Sequence, residues 1–151
     1  MFTVAFFGDK HVHNPLQIVR ELEISIRKLI VEHGQVNLIV GGNEADSCAA
    51  MAARRVQKEV DQNCVKLSLL VPYNPFICSN APEHIARYYD EANYILSAVL
   101  ASPNERDHVR DFSVAEQADL ILSYFTNTKE DSYFVVQCAQ DEGKTVVSLK
   151  L

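Results

Sequence analysis

Three absences frame the reading of this sequence. The first is any excess of basic residues: Lys and Arg total 14 against 20 Asp and Glu, a formal charge of −6 with a pI near 5.3. General affinity for nucleic acid needs a basic face. Composition therefore weighs against nucleic acid as a partner, and leaves room for one small phosphate pocket built from backbone amides. The second is a long apolar run. Nothing approaches the ~18 residues of a membrane span. The apolar stretch at the N-terminus has no basic n-region and meets Gly8-Asp9-Lys10 at once, unlike a signal peptide. No membrane partner and a cytoplasmic location are expected. The third is a C-x-x-C pair: Cys48, Cys64, Cys78 and Cys138 are scattered. They read as reduced thiols rather than disulfide or zinc ligands, and no metal or other cofactor is expected.

Repeats, low complexity and linkers are missing as well. With 48 % hydrophobic and 23 % charged residues the composition is that of a globular chain, and 151 residues make a single domain, 1–151. A domain near this length buries roughly 68–70 % of its unfolded surface, so no staple is required.

Short apolar runs at 3–7, 36–40, 65–71, 119–125 and 145–149 read as strands. Between them, apolar residues at helical spacing predict helices at 15–33, 45–60, 105–117 and 129–142, with 73–82 a loop and 83–100 mainly helical. Asn14 fits a helix N-cap, Pro15 the first helical position and Gly34 the stop. Strands that are almost wholly apolar and alternate with helices indicate an α/β fold: a three-layer Rossmann-like domain with a five-stranded, mainly parallel sheet. Its crossovers are right-handed.

In such a sheet ligands bind beyond the carboxyl ends of the strands. Topology alone brings three segments to that edge: Gly8-Asp9-Lys10-His11, the turn from Gly41-Gly42 to Ser47, and Thr126-Asn127-Thr128. The Gly41-Gly42 turn lets a backbone bend sharply and a ligand approach its amides, and the helix after it presents free N–H groups to an anion. A tight turn capped by Asp46 or Ser47 explains the same residues. The turn is neither a P-loop nor G-x-G-x-x-G. Asp9-x-His11-x-His13 could contribute to a metal site only with ligands from other segments, such as Glu44 or Asp46. Ordinary loop residues are the favoured reading.

These segments resemble a family. Thr3-Val4-Ala5-Phe6-Phe7-Gly8-Asp9-Lys10 looks like the opening strand and turn of the SLOG superfamily, which often reads F-x-G-H-R. Val40-Gly41-Gly42-Asn43-Glu44-Ala45-Asp46-Ser47-Cys48-Ala49-Ala50 is similar to its second motif, G-G-x-x-G-x-D-x-x-A, and Gln117-Ala118-Asp119 before a strand to a third. The superfamily includes the Lonely Guy phosphoribohydrolases and the DNA-processing protein A domain. The resemblance implies a Rossmann-like fold and a pocket for a nucleotide or nucleotide-derived ligand. By motif position that pocket takes in Gly8, Asp9, Lys10, Gly41, Gly42, Asn43, Asp46 and Ser47, with the Pro72-Tyr73 segment lining one side, where Tyr73 either stacks on a base or simply packs in its loop. Lys10 and Arg106 would neutralise a phosphate, and Thr126 and Asn127 would bond a sugar or base. Asp9-Lys10 replaces His-Arg, and Glu44-Ala45 adds an acid beside the anion site, which disfavours a highly charged ligand.

The hydrolytic relatives carry P-G-G-x-G-T-x-x-E after the fourth strand. Here that place holds Thr126-Asn127-Thr128-Lys129-Glu130. The leading expectation is a binding or sensing domain. One alternative is N-glycosidic bond cleavage or transfer with Glu44 or Glu130 as the acid or nucleophile. Another is an oligomeric scaffold with a vestigial pocket, self-associating through an apolar stripe such as Ile95, Leu96, Val99 and Leu100.

Overall fold

The computed structural model describes residues 1–71, 94–97 and 106–150. Its elements are β1 (Phe2–Gly8), α1 (Pro15–His33), β2 (Val36–Val40), α2 (Glu44–Glu59), β3 (Val65–Val71), β4 (Tyr94–Ser97), α3 (Arg106–Gln117), β5 (Leu120–Tyr124), α4 (Asp131–Asp141) and β6 (Thr145–Ser148). All strand pairings are parallel, in the order β4-β3-β2-β1-β5-β6.

The strands alternate their side chains between two apolar layers, as a pleated sheet buried on both faces requires. Val4 and Phe6 of β1 join Leu38, Val40, Leu67 and Leu69 under α1 and α2. Ala5 and Phe7 join Ile39, Leu70 and Ile121 under α3 and α4. Phe6, Leu38, Leu67 and Ile121 are at most 1 % exposed, and full burial of such a side chain contributes about 1.5–3 kcal/mol. The three-layer Rossmann-like arrangement is therefore as expected.

The sheet is one strand wider than the sequence suggested. Tyr94–Ser97, inside the stretch expected to be mainly helical, pairs with β3 in the register Leu69↔Ile95 and Leu70↔Leu96. A four-residue run of Tyr, Ile and Leu satisfies a strand as well as a helical turn, and periodicity cannot separate the two at that length. Ile95 and Leu96 thus belong to a strand and not to a helical dimer stripe; Val99 and Leu100 lie outside the described residues, as does the expected loop at 73–82.

The ends of the elements follow local chemistry. Pro15 opens α1, and Gly34 closes it at φ +83° while donating its N–H to the Ile30 carbonyl at 2.7 Å. Asn14 precedes α1 without a side-chain cap bond; its amide donates to Gln17 Oε1 at 3.1 Å instead. Among the described residues no helix is long and apolar enough to cross a membrane.

Candidate functional site at the carboxyl edge

From β1 the chain crosses to β2 on one side, whereas β5 docks on the other. The strand order reverses there, and open α/β sheets bind ligands at such a point. The last residues of β1 and β5 are in register, Gly8 with Tyr124, so the loops after them emerge side by side. Gly8 also lets α2 close in. A Cβ on it would stand 2.6 Å from the Ala45 Cβ and 3.1 Å from the Tyr124 carbonyl, which only a glycine avoids.

Asp9, 4 % exposed, ties the two loops together. Its carboxylate accepts from the Thr126 N–H at 2.9 Å, the Thr126 hydroxyl at 2.6 Å and the Asn127 N–H at 3.4 Å. The groups expected to meet a sugar or base are thus engaged within the protein. Lys10 is exposed at the rim, and its N–H donates to Glu130 Oε1 at 3.3 Å. Glu44 accepts from the Val12 N–H at 2.8 Å and has His11 Nδ1 at 3.3 Å. Both carboxylates considered for glycosidic chemistry therefore hold the backbone of residues 10–12. Among the described residues no group of three or more His, Cys, Asp or Glu side chains is placed to hold a metal.

At the second turn the N-terminus of α2 is closed by a capping box. Asn43 Oδ1 accepts from the Asp46 N–H at 2.8 Å, and Asp46 Oδ2 accepts from the Asn43 N–H at 3.1 Å. Gly41 lies against the same carboxylate, a Cβ on it falling 2.8 Å from Asp46 Oδ2. The Asn43 amide group reaches the Gly8 carbonyl at 3.3 Å, and the Ser47 hydroxyl donates to the Asn43 carbonyl at 3.2 Å. The Glu44 N–H donates to the Lys10 carbonyl at 3.2 Å. The amides expected to cradle a ligand anion thus surround one of the protein's own carboxylates.

Arg110 completes the site from α3. It is 6 % exposed. Its Nε donates to the Leu70 carbonyl at 2.9 Å and Nη1 to Asp111 Oδ1 at 2.7 Å, and its guanidinium carbon stands 5.7 Å from the Phe7 ring centroid. The group thus lies across the carboxyl ends of β3, β2 and β1. Nη2 is buried and has no hydrogen-bond partner among the described residues. It presses on the second turn: a Cβ on Gly41 would lie 2.5 Å from Nη2 and 2.8 Å from Asp46 Oδ2. Asp111 Oδ2 accepts in turn from the Ser132 hydroxyl at 3.0 Å, joining α3 to the first turn of α4.

Burial raises the Asp46 carboxyl above its ordinary value of 3.8; Arg110 and the Gly41 and Asn43 amides oppose the rise, and Asp111 adds to it. The Arg110 guanidinium is thus buried beside two acids, with Nη2 unpaired among the described residues.

The structure brings Gly8, Asp9, Lys10, Gly41, Gly42, Asn43, Asp46, Ser47, Thr126 and Asn127 to one edge. Arg106 opens α3, but its side chain and the whole of Tyr73 lie outside the described residues. Arg106 and Arg110 stand at i, i+4 spacing, which in sequence lets either reach a phosphate or pair with acidic neighbours at the surface; Arg110 is the one whose side chain is described, and it is buried at the site. A sequence signal for that burial existed. Arg110 and Asp111 stand four residues before the apolar Val114 and Ala115, so both occupy the buried stripe, where an unexplained charge is informative.

No family model and no curated protein matches the chain. Solved structures do. DNA processing protein A (DprA) from Streptococcus pneumoniae superposes with a TM-score of 0.74 at 19 % identity, over 97 % of this chain and 50 % of that one. The same protein from Helicobacter pylori superposes with a TM-score of 0.72 at 17 % identity, over 99 % of this chain and 66 % of that one. The chain spans half the length of the first neighbour. At such identities the likeness is one of fold, and it is the Rossmann-like fold that the SLOG resemblance implied. The second structure is described by its single-stranded DNA binding mode. That corrects the expectation that set nucleic acid aside. A formal charge of −6 sums over the whole chain, whereas a strand is met by the few groups lining its path.

Proposed function

We propose that this domain binds a nucleotide unit at the carboxyl edge of its sheet, the phosphate drawn to the second turn by Arg110 and Lys10. The observation that carries the reading is Arg110 Nη2, buried against Gly41 without a hydrogen-bond partner among the described residues, at the place where strand order reverses. A buried donor left unpaired costs about 1–3 kcal/mol, and more when the group is charged, and a phosphate oxygen within reach would recover it. Lys10, exposed beside the first turn, supplies the second cation. Single-stranded DNA is the first form of the ligand to test, because a protein of this fold is described as binding it.

The test is fluorescence anisotropy with a labelled oligothymidylate, alongside thermal shift with thymidine nucleotides. Arg110→Gln, checked for folding by its melting curve, is expected to weaken binding at least tenfold. It is also expected to lower the slope of log K against log salt by about 0.7, the loss of one phosphate contact on a single strand. Failure of both oligonucleotide and mononucleotides to bind, or equal binding by wild type and Arg110→Gln, would overturn the reading.

A further inference from the structure

We infer that Asp46 determines which phosphates this site accepts, excluding dianionic terminal phosphates in favour of singly charged phosphodiesters. The inference rests on the nucleotide-binding reading above and names the ligand class for the same site.

The cradle is already occupied by a side chain of the protein. Asp46 is 3 % exposed, and its carboxylate takes the Asn43 N–H and lies against Gly41. An incoming phosphate meets a cradle that already holds one negative group and is left with Arg110 Nη2 as its buried donor. The charge balance then decides. The charged groups acting on Asp46 are Arg110 and Asp111 from α3, with Cys48 beside it on its own helix and Glu44 acting on that same thiol. With Asp46, Asp111 and the neighbouring Glu44 ionised, the charges of Arg110 and the exposed Lys10 are together outweighed by one. Burial already makes the charged form of Asp46 costly. Each further negative charge raises that cost, and a monoester brings one more than a diester. Discrimination by such a like-charge contact is a difference of affinities, and one charge at close range in a half-buried site is worth about tenfold or more.

A matched pair of probes isolates the effect: thymidine 5′-phosphate, a dianion above its second pKa of about 6, and its 5′-methyl phosphodiester, a monoanion throughout. Titration calorimetry on wild type at about pH 8 is expected to show the diester binding about tenfold or more tighter. Asp46→Asn keeps an oxygen to accept from the Asn43 amide and removes the charge. In that variant the preference is expected to shrink toward unity through a gain for the monoester. Should Asp46→Asn fail to fold, the same comparison on wild type at about pH 5, where the monoester carries one charge, replaces it, and the preference is again expected to shrink.

Equal affinity, tighter binding of the monoester by wild type, or a preference unchanged in folded Asp46→Asn or at the lower pH would overturn the inference and leave nucleotide binding standing. Absence of binding by both probes and by oligothymidylate would overturn the nucleotide-binding reading itself, and this inference with it.

Discussion

The Asp9 carboxylate accepts both the backbone N–H and the hydroxyl of Thr126, at 2.9 and 2.6 Å, and so joins the first and fifth strands beyond their carboxyl ends. A residue that sequence alone assigns to a ligand serves here as a tie between loops.

The tie has a measurable strength. Thr126→Val removes the hydroxyl and leaves the N–H. It is expected to lower stability by about 1 kcal/mol, below the roughly 1.5–3 kcal/mol of bonds to charged groups, because Thr126 is exposed. Asp9→Ala removes all three bonds and is expected to cost more. A double-mutant cycle by urea unfolding is expected to give about 1 kcal/mol of coupling. Additive losses would show that the two side chains stabilise the loops independently.

Gly41 is held to glycine by space. Its missing Cβ would fall within 2.8 Å of both Arg110 Nη2 and Asp46 Oδ2. Gly41→Ala is therefore expected to destabilise by about 1–3 kcal/mol, the usual cost of overpacking, and to weaken nucleotide binding in the same variant. Equilibrium unfolding and anisotropy on one preparation check both. A neutral alanine would mean that Arg110 can move aside freely.

The Asp46 carboxyl predicts a reversed pH dependence. Its folded value lies above 3.8, with burial the largest cause. Over the window from 3.8 up to the folded value, the folded chain holds a proton that the unfolded chain has released. This group's contribution to stability is therefore lost as pH rises through the window. An aspartate held by a salt bridge at the surface does the opposite. Asp46→Asn removes the titration, so its stability relative to wild type is expected to improve as pH rises. Urea melts of the two proteins from about pH 4 to about pH 8 measure the gap. A gap independent of pH would mean that the carboxyl does not titrate between those limits.

The thiols differ in reactivity for the same reason. Cys48 is 4 % exposed, and burial, then Glu44 and Asp46, push it up to about 11. Cys64 is buried and Cys138 is half-buried. Alkylation needs the thiolate and access to it. Iodoacetamide on the native protein is expected to modify Cys138 well before Cys48 or Cys64, with all of them reacting in denaturant. Peptide mass spectrometry reads the order, and early labelling of Cys48 would contradict the packing of α2.

Much of the fold was legible in the sequence because its signals are local. Pro15, Gly34 and the apolar runs at 36–40 and 65–71 place α1, β2 and β3 without tertiary information. β4 was not legible, since a four-residue apolar run carries no period. At the site, the segments were found and their chemistry was not. Sequence alone offers Asp46 or Ser47 as the cap, whereas Asn43 is the N-cap and Asp46 its N3 partner; spacing cannot show that the Asp46 carboxylate turns inward to Gly41. Nor could it show the depth at which Arg110 is buried. That depth depends on Leu70 and Phe7, which are distant in sequence.

The placement of β1 also governs how the chain becomes a domain. β1, β2 and β3 with α1 and α2 can assemble from contacts close in sequence, whereas the other flank of β1 awaits β5, in the register Phe6↔Leu122. Until then Ala5, Phe7 and Ile39, which end beneath α3 and α4, form an apolar surface without a cover. A nascent chain would carry that surface through most of its synthesis, and long-range strand pairing is slow to form. The early half of this protein is therefore the part exposed to chaperone binding and self-adhesion. A dye that lights up on apolar surface, added to fragment 1–71 and to the whole chain, would show the difference; equal signals would mean that the half-sheet hides its own face.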